Sequence, residues 1–109
     1  MPQRTKIDSH EWVVQKEGTI TTLSSAVALS DQFSSSAEPP VFATLQAFTQ
    51  NVRYTLDGST TPTASVGFQL AAASMSPSEF HEPAAIAAMK LIEETASASV
   101  HYVFYTPRR

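Results

Sequence analysis

Cysteine is absent from the 109-residue chain, which removes disulfide staples and thiolate metal ligation from consideration. Glycine is nearly as scarce. Three residues cannot build the glycine-rich phosphate cradles of P-loop or dinucleotide-binding proteins, and no Gly-x-Ser-x-Gly elbow occurs. No apolar run approaches the roughly 20 residues a membrane-crossing helix needs. The polar opening MPQRTKIDSHEW has no apolar core of a signal peptide. Positive charge is in deficit: seven Lys and Arg against ten Asp and Glu leave a net charge of −3. Nucleic-acid binding wants the opposite balance. Neither a nucleic-acid nor a membrane partner is expected.

What is present is an ordinary apolar content of 42% carried largely in period-2 patterns. The length fits one domain, read as residues 10–109, with residues 1–9 as an extended arm lacking a core-facing stripe. The stretch 41–70 organises the chain. Ala43, Leu45 and Ala47 alternate with Thr44 and Gln46, and after Gln50-Asn51 the alternation resumes with Val52, Tyr54 and Leu56. This predicts a hairpin whose tight turn uses Asn51, followed by an Asp57-Gly58 turn and a third strand over 66–70. Before it, strands are predicted at 11–15, 19–23 and 26–29, with a turn at Glu17-Gly18 and a loop over 30–40. After it come a short strand at 78–81, one helical turn at 83–88 opened by Pro83, a strand at 89–95 and an aromatic strand at 100–105. On that last strand Val100, Tyr102 and Phe104 share one face; His101, Val103 and Tyr105 share the other. Seven to nine short strands predict an all-β fold, an antiparallel β-sandwich or jelly-roll-like barrel with at most one short helix.

Residues able to carry chemistry have simpler readings. Asp57 with Arg53, on one strand face, could bind a sugar or metal; an Asx-turn at an Asp-Gly corner, with Arg53 paired to Asp57, explains both more cheaply. The pairs His10-Glu11 and His81-Glu82, with His101, fall short of the three or four converging ligands a metal needs, because strand neighbours point to opposite faces. Glu93-Glu94 diverge for the same reason, against glycosidase geometry. Serine-rich composition always allows a Ser-His-Asp set on paper, without an oxyanion loop to serve it. No catalytic, metal or cofactor residue is nominated, and the chain is expected not to be an enzyme. Surface contacts are. Trp12 reads as a core or interface plug, Phe33 as a loop residue to be buried in a partner, and Tyr105 as an aromatic of the doubly covered last strand. Arg4 and Lys6 on the arm, with Arg108 and Arg109 at the other end, are candidates to lie across a neighbouring subunit.

Val52-Arg53-Tyr54, Asp57-Gly58, Pro62-Thr63, Gly67, Leu91-Ile92-Glu93 and the strand 100–105 together resemble a segment of small virion proteins of tailed bacteriophages. The resemblance covers about residues 41–105. It implies a β-sandwich structural protein, most readily a capsid decoration (cement) protein stabilising the head, with the major capsid protein or other virion proteins as partners and a homo-oligomer, a trimer by preference. A neck, tail or baseplate component is the first alternative. The run 52–59 followed by Pro62-Thr63 is also similar to the β-sandwich module at the C-termini of chitobiase-like glycosidases. That module implies an accessory carbohydrate-binding role, although Thr60-Thr61 makes the spacing to the proline longer and the tyrosine of its following strand is absent, Phe68 being the nearest aromatic.

Overall fold

The computed structural model describes residues 12–33 and 39–107. Those residues form eight strands: β1 (Trp12–Ile20), β2 (Val27–Ala28), β3 (Phe42–Phe48), β4 (Val52–Thr55), β5 (Phe68–Leu70), β6 (Ser78–Phe80), β7 (Lys90–Glu93) and β8 (Ser99–Pro107). One short helix, α1 (Pro83–Ala88), and a 3-10 turn over Leu29–Gln32 complete the elements. The predicted arm, residues 1–9, lies outside the described residues.

The strands make two four-stranded antiparallel sheets, in the orders β1-β8-β3-β6 and β2-β7-β4-β5. The pairings nest: β1 with β8, β2 with β7, β3 with β6, β4 with β5. The chain is thus one long antiparallel ribbon, doubled back between β4 and β5 and wound so that successive pairs fall alternately in the two sheets. This is the connectivity of a jelly roll, laid out as the two antiparallel sheets of an all-β sandwich.

Period-2 patterning positions the core. On β8 the burial alternates strictly, with Val100 and Phe104 fully buried and Tyr102 3% exposed. On β3 it is Ala43, Leu45 and Ala47 that go inward. Val52, Leu70 and Leu91 answer from the facing sheet, and all belong to one hydrophobic cluster. Each buried Leu or Phe of this kind contributes about 1.5–3 kcal/mol relative to exposure. Pro83 starts α1 at its first turn, where a missing N–H costs nothing. The helix stops because Met89 turns extended, burying its side chain and accepting the Leu29 N–H at 2.9 Å. Only Ile86 of α1 is buried, as the helix packs on the 3-10 turn and β3.

Four local expectations are corrected. Glu17-Gly18 is no turn: β1 runs through it, so the predicted strands 11–15 and 19–23 merge into one with an irregularity between Val14 and Lys16. Gly18 is needed because the Tyr102 ring crosses over it. Next, β3 and β4 are not a hairpin, since they belong to different sheets. A tight reversal and a sheet-to-sheet corner share one local signature, and here the demand to bury both Leu45 and Val52 between sheets selects the corner. The positive φ at that corner falls on Thr49 (75°), with Gln50 N–H donating to Phe48 O at 2.8 Å, not on Asn51. Finally, the strand expected over 26–29 shrinks to two residues before the 3-10 turn buries Leu29.

Candidate functional site

The outward side chains of the β1-β8-β3-β6 sheet sort into an apolar end and a polar middle. Cross-strand partners share a face. Val14 is paired with Tyr105, and Tyr105 with Phe42. Trp12, paired with Pro107, adds a further ring beside Phe42, at 6.3 Å between centroids. Phe42 is sandwiched: Tyr105 stacks at 4.7 Å on one side and His81, just past β6, at 4.4 Å on the other. β1, β8 and β3, with the residue that follows β6, therefore contribute to a single ring-lined row. Antiparallel sheets normally turn polar residues to water on their open face; here Val14 is 57% exposed, Trp12, Phe42 and Tyr105 are half-buried and His81 is exposed.

Next to the row comes a hydrogen-bonded set. His101 Nε2 meets Glu17 Oε2 at 2.7 Å, and its Nδ1 meets Thr19 Oγ1 at 3.1 Å. The register opposes Glu17 to Val103 and Thr19 to His101, so a carboxylate, an imidazole and a hydroxyl fall in line on one face. A hydrolase would also need preorganised N–H donors for an oxyanion. β8, which carries His101, is laddered on both sides, by β1 and by β3, and its N–H groups are committed there. The set ties two strands together. Glu79 and His81 pair at 3.3 Å further along the same face.

The outer face of the other sheet holds a second polar network. Arg53 donates through Nε to Glu94 and through Nη1 to the Gly67 carbonyl at 2.9 Å. Gln69 Nε2 donates to the same carboxylate at 2.8 Å, and Asn51 accepts the Ala72 N–H at 2.8 Å. The Gln69 hydrogen bond, with Arg53 and Asn51 helping, lowers the Glu94 pKa. Arg53 is thus paired to Glu94 and not to Asp57. Asp57 closes its own corner instead: Oδ1 accepts the N–H of Ser59 and of Thr60, Oδ2 accepts the Thr60 hydroxyl at 2.6 Å, and Gly58 follows at φ 79°. The Thr60 hydroxyl above all holds the Asp57 carboxyl at about 2. This is the Asx-turn expected of Asp57 and Gly58.

The other nominated contacts divide. Trp12 and Tyr105 come together in the ring row, which the sequence could not show. Phe33 is spent in its own chain: 7% exposed, it meets Phe104 edge-on at 5.1 Å, so it is not a loop side chain held out for a partner. Arg4, Lys6, Arg108 and Arg109, like His10-Glu11, lie outside the described residues. His81 pairs with Glu79 rather than Glu82. Glu93 and Glu94 diverge, Glu93 accepting the Ala98 N–H at 3.3 Å while Glu94 joins Arg53. Among the described residues no group of three or more His, Asp or Glu could hold a metal. A second apolar group lies at the β5 edge, where Phe68 (62% exposed) and Val66 (44%) flank Gly67, with Tyr54 behind Phe68 at 5.6 Å. Sequence reasoning missed Phe42 and Val14, and weighed His81 only as a metal ligand; the available signal was that Phe42 falls on the outward phase of the Ala43-Leu45-Ala47 alternation.

Fold and surface together define an antiparallel jelly-roll sandwich with one ring-lined open sheet face. No family model, curated protein or solved structure matches the chain.

Proposed function

We propose that this protein is a non-enzymatic structural component of a bacteriophage particle, binding the capsid surface as a decoration protein that stabilises the head, in the virion and as a homo-oligomer. The observation that carries the reading is the ring row of Trp12, Tyr105, Phe42 and His81 on an otherwise solvent-facing sheet. Half-buried rings on a rigid sheet suit adhesion to a protein surface: they lose little side-chain freedom on docking and bring large area. The same geometry disfavours a carbohydrate platform, because both faces of Phe42 are occupied, by Tyr105 and His81.

The test is to mix the purified protein with empty heads of its particle and count bound copies. Saturation at a copy number in the hundreds supports decoration. Binding at a single vertex moves the protein to the neck or tail. A protein that ignores heads and is retained on a polysaccharide column sinks the virion reading.

A further inference from the structure

We propose that the ring-lined end of the β1-β8-β3-β6 face is a self-association surface, covered by the basic chain ends of a second copy of this protein. Trp12 is paired with Pro107, so the chain enters β1 and leaves β8 side by side at the row itself. Residues 1–11 precede Trp12 and residues 108–109 follow Pro107, so both ends of the chain continue from this end of the sheet. Their charge is distinctive. Arg4, Lys6, Arg108 and Arg109 are four of the seven Lys and Arg in the whole chain; with Asp8 and Glu11 counted the two ends together carry a net +2, against −5 for the rest of the chain. The face they adjoin carries Glu17 and Glu79, with Glu82 just beyond His81. The described cations are elsewhere: Lys16 reaches the Gln32 carbonyl at 2.8 Å, Arg53 lies on the other sheet's outer face, and Lys90 is on β7. An acidic face beside basic ends is a complementary pair.

A second copy meets this pairing better than the chain's own ends do. The chain runs into β1 along the strand direction, so returning over its own row would take a full reversal just before Trp12. A neighbour facing this end of the sheet receives the segment without reversal. Extended, eleven residues reach up to about 36 Å, enough to cross four strands spaced about 4.8 Å apart. Area points the same way. A stable interface buries about 800 Å² per partner, more than one row of rings supplies, and the chain ends provide the remainder. Passed from copy to copy around a ring, the contact closes an oligomer, with or without a particle to decorate.

Sedimentation equilibrium of the full-length protein tests this, with Val14→Lys, Glu79→Lys and the double change Arg4→Glu/Lys6→Glu. Val14 and Glu79 are exposed and outward, so these variants fold, as circular dichroism would verify. A defined oligomer is expected. Its dissociation constant should rise about tenfold or more, about 1.4 kcal/mol, in each variant and in about 1 M salt, where the screening length falls to about 3 Å. Combining Glu79→Lys with Arg4→Glu/Lys6→Glu should restore association. A monomer at every concentration overturns the proposal, including one whose melting point falls on arm charge reversal because the arm covers its own face. An oligomer indifferent to all three variants overturns it as well, placing self-contact on another surface. Heads take no part, so failure here and failure of head binding are read separately.

Discussion

Gly18 lies directly beneath the phenol of Tyr102: a methyl group on its Cα would stand 2.6 Å from the hydroxyl oxygen and 2.9 Å from Cζ. Tyr102 cannot step aside, being 3% exposed and stacked on Phe104 at 4.7 Å. Gly18→Ala should therefore cost about 1–3 kcal/mol through overpacking. Tyr102→Phe removes the nearest clashing atom, so the double variant should lose less than the two single losses added. Denaturant unfolding of the four proteins measures the coupling, and strict additivity would contradict the contact.

Thr49 offers the opposite sign. A β-branched residue at φ 75° is strained, and such strain costs on the order of 1–3 kcal/mol. Thr49→Gly relieves it at an entropic cost of about 0.5–1 kcal/mol, so a net gain of about 1 kcal/mol is expected in the unfolding midpoint. A loss would mean that the corner between β3 and β4 does not carry this strain.

Phe33→Ala should destabilise the isolated protein by about 3–5 kcal/mol, because its ring fills core space against Phe104. A Phe33 that served only a partner would leave the melting temperature of the free protein unchanged.

Acid sensitivity follows from Asp57 and Glu94, both with carboxyl groups held below the ordinary range. For a folded-state value below the unfolded one, the stabilisation is complete above the unfolded value, near 4, and disappears as pH falls through the folded value. For Asp57 the window is from about 4 down to about 2. Asp57→Asn should melt lower than the parent at neutral pH, and the gap should narrow across that window. Melts by circular dichroism between pH 7 and pH 2 decide it; a constant gap would exclude the titration.

Much of the fold was legible where burial is decided locally. β3 and β8 show their alternation in the sequence because each is covered on one face by a single core. α1 matches its predicted 83–88 span because Pro83 and the alanines act within one turn. The Asp57-Gly58 corner was legible for the same reason, its partners lying within three residues. Failures cluster where a distant neighbour decides. Gly18 reads as a turn until Tyr102 is placed over it, and Arg53 could not be assigned to Glu94 rather than Asp57 from spacing. The ring row joins residues from both extremes of the described chain, and only the nested pairing brings Trp12, Phe42, His81 and Tyr105 together.

The nested pairing also sets an order of events for folding. Joining β4 to β5 closes only the short loop between Tyr54 and Phe68, whereas joining β1 to β8 brings Trp12 to Pro107. Loop-closure entropy grows with separation, so zippering that starts at the Asp57-Gly58 apex makes each later pair a short closure onto the last. The chain should then fold on the millisecond-to-second scale of non-local β topologies, with the β1–β8 seam formed late. The surface that carries the rings is accordingly among the last parts of the molecule to be completed, so its apolar row is assembled only once the sandwich beneath it is already built.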